Sequence, residues 1–247
     1  MDRRDPSNSP YRGPPRIKLD RNARRERDTR RDAEMRPPPL QRRDASTELR
    51  VFGFNACIAL FARRPQDLRK VWLIESRIPA LKSVLAWCVA QRLGYRVVGD
   101  EDLAKLTGTQ HHEGVCFDTL RPAELSLAML LARLPAGPAL IARLDGVGNP
   151  HNFGAVLRSA ANFGVGGVVL AADSPLGLSG AACRIAEGGA EAVPIARLAP
   201  GEDASPVLRA AGFAIAATVP RDGESPYARS LPPRLAVVFG AEGEGLD

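Results

Sequence analysis

The 247-residue chain has no run of about 18 apolar residues, so nothing in it reads as a membrane-spanning helix. Its Arg-rich N-terminus lacks the apolar stretch of a secretory signal, and a cytoplasmic protein is the expectation. Cysteine is scarce. Cys57, Cys88, Cys116 and Cys183 stand far apart, which fits neither a disulfide framework nor a zinc knuckle and implies reduced, mostly buried thiols. The three histidines, His111, His112 and His151, never recur at ligand spacing, so no metal is expected. A dinucleotide fingerprint is missing too. Gly146-x-Gly148 is followed by His151 where a third glycine should stand, which disfavours a nucleotide-dependent oxidoreductase.

The charge that is present is unevenly placed. Residues 1–46 hold 14 Arg or Lys against 8 Asp or Glu, while the remainder holds 20 of each, so the whole net charge of +6 sits in the first segment. With seven prolines and almost no apolar residues, that segment cannot offset its ordering entropy by burial, and it reads as a disordered tail. A mobile basic arm attracts polyanions by phosphate contact and counterion release, which makes RNA its natural partner; a solubilising tail is the bland alternative.

From residue 47 the composition turns globular. ELRVFGFNACIALFARRP reads as an amphipathic helix, Val71–Ile74 as a short buried strand, and IPALKSVLAWCVAQRLG as a helix burying Leu81, Val84, Leu85, Cys88, Val89 and Leu93 and stopped by Gly94. A strand YRVVG, a short helix over 100–106 and a strand GVCFDTL complete a small α/β domain over 47–120. A connecting segment, 121–138, ends in Pro-Ala-Gly-Pro. Beyond it, over 139–247, strands alternate with helices, which predicts a parallel sheet covered on both faces and a ligand site beyond the carboxyl ends of its strands.

Three loops at such ends carry the chemistry. In the first, Asp145–Gly154, Asn152 is placed to cap the following helix and leave N–H groups facing the loop. Arg158 then lies on a stripe with Ala155 and Asn162, angled toward the loop beside the buried Phe153, Leu157, Ala160 and Ala161; a solvated helix arginine is the ordinary alternative. The second loop opens at Thr218. The third, Gly240-Ala-Glu-Gly-Glu-Gly245, offers glycines that let the backbone close on a flat nucleoside and a carboxylate, Glu242, held at a strand end.

In combination these segments resemble the SpoU/TrmH family of RNA ribose methyltransferases. LDGVGNPHNFGAVLRSAANFG is similar to the family's first motif, with its Asn-x-Gly-x-x-x-Arg core at Asn152, Gly154 and Arg158, and AVVFGAEGEGL is similar to its second, at Gly240, Glu242, Gly245 and Leu246. RIAEGGAEAVPIAR and the strand ending at Ala217-Thr218 resemble the family between them. GFNACIALFARRP and His112-Glu-Gly-Val115 resemble its accessory RNA substrate-binding domain. The resemblance implies a parallel sheet with a trefoil knot, a homodimer, and S-adenosyl-L-methionine held by Thr218, Gly240 and Gly245. Arg158 touches RNA, and Asn152 and Glu242 position loop and substrate. A guanidinium is a donor rather than a base, so Arg158 is read as holding phosphate and stabilising alkoxide, with proton removal left to phosphate or water.

The family's third motif, containing Ser-Leu-Asn, falls downstream of Asp247 in this pattern, so the knot and the cofactor pocket of the chain as given are expected to be incomplete. Methylation of a ribose 2′-hydroxyl in ribosomal or transfer RNA is the leading expectation. The alternative is a non-catalytic RNA-binding module derived from such an enzyme.

Overall fold

In the computed structural model the described residues are 47–240 apart from 220, 222 and 229. The tail therefore lies outside them, as do Glu242 and Gly245. The described residues begin with β1 (Glu48–Phe52), α1 (Phe54–Arg63), β2 (Leu68–Leu73), α2 (Lys82–Ala90), β3 (Tyr95–Val97), α3 (Asp100–Thr107) and β4 (Val115–Leu120). These strands form a sheet in the order β1-β4-β2-β3, antiparallel except for the parallel β2–β3 pair.

The stretch expected as one amphipathic helix over ELRVFGFNACIALFARRP is thus a strand followed by a helix. Leu49 and Val51 alternate with exposed Glu48 and Arg50, the period of a strand with one buried face. The break falls at Gly53, whose φ of +95° only glycine adopts easily. Gly53 supplies no side-chain cap to α1, and Glu113 does so from a distance: its Oε2 accepts from the Phe54 N–H at 2.9 Å. The GFN and HEG stretches therefore meet in space. Helix α2 ends at Ala90 with Arg92 at φ +55°, before Gly94, and Val89 is 65% exposed on its outer side rather than buried.

The connecting segment carries α4 (Leu127–Arg133), capped by Ser126, whose hydroxyl accepts from the Met129 N–H. Then follow β5 (Ala139–Leu144), α5 (Pro150–Asn162), β6 (Gly167–Leu170), α6 (Gly180–Ala186), α7 (Gly189–Ala192), β7 (Ile195–Arg197), α8 (Ala204–Ala210), β8 (Ala214–Ala217) and β9 (Arg234–Phe239). All five strands are parallel in the order β7-β6-β5-β9-β8. Helices cover both faces, as parallel strands with apolar residues on both sides require. Leu127, Leu130, Leu208 and Phe213 pack with Ile141, Val169 and Ala236 on one face.

On the other face Phe153 and Leu157 of α5 join a core that continues without interruption into Leu60, Val71 and Phe117 of the first sheet. Both sheets accordingly fall in one compact unit. Close backbone approaches make this possible. A Cβ on Gly154 would stand 2.6 Å from the Ala182 oxygen, and one on Gly189 would stand 2.5 Å from the Leu157 oxygen and 2.9 Å from the Arg158 Cα. Gly189→Ala is expected to cost about 1–3 kcal/mol, because rigid backbone must give way to the new methyl. Chemical denaturation measures it, and an unchanged midpoint would show that α7 can shift freely.

Candidate active site

The inserted strand β9 is what assembles the site. Because it lies between β5 and β8, the loops opening at Asp145, Thr218 and Gly240 leave three adjacent parallel strands at their carboxyl ends. Strand order switches there, since β5 leads to β6 on one side and has β9 on the other, and such a switch opens a crevice. The Asp145 N–H donates to the Phe239 oxygen at 2.8 Å, and the Thr218 N–H and Oγ1 donate to the Val238 oxygen at 2.9 and 3.2 Å. Arg143 Nη2 pairs with Asp145 Oδ2 at 2.9 Å, fixing the start of the first loop. Gly146 takes a φ of +70°, and a Cβ on Gly148 would meet nothing within 4 Å, so the loop is tight at its start and open at its middle.

The capping role expected of Asn152 belongs to Asn149, whose Oδ1 accepts from the His151 N–H at 2.8 Å. Pro150 at the first helical position explains why: its missing N–H and preset φ suit a helix start, and Asn149-Pro150 is the sequence signal that marks it. Asn152 is instead an exposed residue of the first turn. The helix therefore begins at Pro150, ahead of the expected cap, and Arg158 lies about 12 Å along it at 1.5 Å per residue. The Arg158 guanidinium pairs with Glu187 Oε1 at 3.1 Å, where α6 turns into α7, with side chains 60% and 41% exposed.

Arg158 thus lines a separate cleft of about 600 Å³, walled by Ala59 and Arg63 of α1, Asn162 of α5, and Glu187, Gly188 and Gly189. The structure brings Thr218 and Gly240 together with the first loop and pairs Arg158 with Glu187. Glu187 is a site residue that sequence reasoning missed, since nothing local in RIAEGGAE announces a partner 29 positions upstream. A second, apolar cleft of about 450 Å³ runs beside β9, bordered by Ala155, Val156, Phe163, Val237 and Phe239.

Thiol chemistry has no part in this site. All four cysteines are buried and free, and burial pushes the Cys116 and Cys183 thiols up to about 12. They are expected to resist a thiol reagent at neutral pH until the protein unfolds, and prompt labelling of the native chain would contradict this burial. Their raised pKa also favours folding only while unfolded thiols keep their protons. Stability should fall as pH rises from about 9 toward 12, where unfolded thiols ionise first. No group of three His, Cys, Asp or Glu that could hold a metal occurs among the described residues, and no helix among them is long and apolar enough to cross a membrane.

Comparison with known proteins matches this architecture. Residues 139–247 match the SpoU rRNA methylase family, and residues 50–124 match the RNA 2′-O ribose methyltransferase substrate-binding family. The chain is 41% identical over 213 residues to an Escherichia coli O157:H7 protein named as an uncharacterized tRNA/rRNA methyltransferase, YfiF, covering 85% of this chain and 60% of that protein. It is 32% identical over 204 residues to the Shewanella oneidensis 23S rRNA (guanosine-2′-O-)-methyltransferase RlmB, covering 79% of this chain and 80% of that protein. The chain spans 60% and 51% of the length of its YfiF and Haemophilus influenzae relatives. The AdoMet-bound rRNA methyltransferase of Sinorhizobium meliloti shares the fold, with a TM-score of 0.66 at 22% identity over 83% of this chain and 75% of that one. By sequence and by fold, the chain belongs to the SpoU rRNA methylase family.

Proposed function

We propose that this protein methylates a ribose 2′-hydroxyl in ribosomal or transfer RNA, using S-adenosyl-L-methionine. The observation that carries the reading is the meeting of the Asp145, Thr218 and Gly240 loops at one edge of a parallel sheet in a chain of this family. The residues there fit such a cofactor. Ala217, Thr218 and Gly240 are small, and Gly148 is uncrowded, so a flat nucleoside has room beside backbone donors and acceptors. Thr218, Gly240 and Gly245 would hold it. When bound, it supplies the electrophilic methyl group.

The remaining chemistry is alignment and the handling of one proton. Arg158 donates to RNA phosphate and to the 2′-oxygen as negative charge develops there, while the hydroxyl proton passes to a phosphate oxygen or water. Asn152 and Glu242 position the loop and the substrate. The exposed rings of Phe163 and Phe239 beside the apolar cleft support assembly as a homodimer. A cytoplasmic protein acting on cellular RNA fits the same reading.

Mapping of 2′-O-methyl sites in total RNA from cells with and without the gene tests the proposal. One site is expected to vanish with the gene. Retention of every site would favour a non-catalytic RNA-binding module instead. The basic tail should add to RNA affinity: removing residues 1–46 is expected to lower the salt slope of RNA binding by about 0.7–0.9 for each phosphate that the tail neutralises, without changing the fold. An unchanged slope would show that the tail does not touch RNA.

A further inference from the structure

Glu187 sits where local rules ask for something else. It is the C-terminal cap of α6 with φ +46° and ψ +42°, a left-handed conformation normally filled by glycine, and Gly188 follows at φ +97°. Gly188 is also the N-cap of α7, so Glu187 stands at the junction where one helix ends and the next begins. A side chain carried in a conformation that favours glycine points to a task. What Glu187 gains is the 3.1 Å contact with Arg158, in water-exposed surroundings where such a pair adds little stability.

The cleft around this pair has a second cation. Arg63, in the last turn of α1, is exposed on the opposite wall and has no ion-pair partner among the described residues. Apart from Asn162 and Phe163, the rest of the lining is glycine, alanine and serine. A Cβ on Gly188 would stand 2.9 Å from the Ala59 Cβ, so the two walls approach closely only because that position is glycine. A groove with an arginine on each wall and a lining of small residues suits a phosphodiester chain.

We infer that this cleft is a track for the RNA backbone in which Arg63 and Arg158 each take a phosphate, and in which Glu187 occupies Arg158 until a phosphate displaces it. The inference rests on the reading of Arg158 as RNA-facing. It makes the first sheet's domain a direct wall of the substrate path, and it gives Glu187 the part of a built-in competitor. An empty site then keeps Arg158 ordered, and a carboxylate is exchanged for a phosphate when RNA arrives.

The test is binding of a fluorescently labelled single-stranded RNA by the full chain across a salt series, with Arg63→Gln, Glu187→Gln, Glu187→Gly, Arg158→Gln and the double variant Glu187→Gln/Arg158→Gln. Arg63→Gln should lower the salt slope by about 0.7. Glu187→Gln should tighten binding by about two- to five-fold, the worth of an exposed ion pair. That gain should vanish in the Arg158→Gln background. Glu187→Gly, which suits the backbone better, should bind as tightly as Glu187→Gln with no loss of Tm. A gain that persists without Arg158 would mean simple removal of a negative charge and overturn the inference, as would no gain, an unchanged slope for Arg63→Gln, or a Glu187→Gly protein that is less stable and binds worse. If Arg158→Gln itself leaves affinity and slope untouched, the underlying reading of Arg158 fails. If Arg158→Gln weakens binding while Glu187→Gln does nothing, the reading of Arg158 stands and the inference about Glu187 fails.

Discussion

Arg64→Ala is expected to destabilise the protein by about 3–5 kcal/mol, the cost of leaving a buried charge without its partner. Arg64 follows α1 and reaches Glu191 on α7, with Nε–Oε2 at 2.6 Å and Nη2–Oε1 at 2.8 Å and side chains only 10% and 7% exposed. Nη1 also donates to the Leu120 oxygen at 2.7 Å, Thr119 Oγ1 at 3.2 Å and, at 3.4 Å, the more exposed Asp67 Oδ2. Burial opposes the guanidinium charge, but hydrogen bonding and attraction from Glu191 outweigh it, and the Arg64 pKa rises above its ordinary value. The pair joins the first sheet's domain to the second, so its loss should loosen α1 from α7. Arg64→Met combined with Glu191→Leu should recover much of the loss, because two apolar side chains leave no orphaned charge. Urea denaturation of the single and double variants measures both. A double variant as unstable as Arg64→Ala would mean that the bonds to Thr119 and Leu120, rather than the ion pair, hold this junction.

Arg158→Ala is expected to reduce methylation by about a hundredfold or more, the usual loss when a preorganised donor to developing charge is removed. The side chain is exposed and outside both apolar cores, so stability should barely change. Because its assigned partner is the RNA rather than the cofactor, affinity for S-adenosyl-L-methionine should stay nearly constant by calorimetry. Turnover on the mapped RNA close to the parent's would make Arg158 an ordinary surface arginine. A loss of cofactor affinity equal to the loss of rate would move it into the cofactor site. Either outcome contradicts its assignment to the RNA side.

Where a pattern is local, the sequence was legible. The five strands of the second sheet follow from short apolar runs set between turn residues, and α5 from Phe153, Leu157 and Ala160 at helical spacing. The same spacing misled at ELRVFGFNACIALFARRP, because Leu49, Val51 and Phe52 belong to a strand whose partner, β4, is more than 60 residues away. A strand's identity depends on that pairing, and a window of 18 residues cannot see it. Asn152 was misplaced for a smaller reason: Asn149-Pro150 is the stronger start signal, and the first buried residue of the helix comes only at Phe153.

The sequence alone determined the family, the two α/β portions, the excess of charge in the first 46 residues and the three loops at strand ends, because motifs and composition are properties of neighbours along the chain. Only the tertiary structure decided that β9 enters between β5 and β8 and so gathers those loops at one edge. It also decided that Arg158 pairs with Glu187 and shares a cleft with Arg63, and that Arg64 meets Glu191 across 127 positions. Those outcomes depend on which distant backbones can approach closely enough to touch. Here glycines at 154, 188 and 189 permit the approach, and the arginines and glutamates settle where their charges can be satisfied.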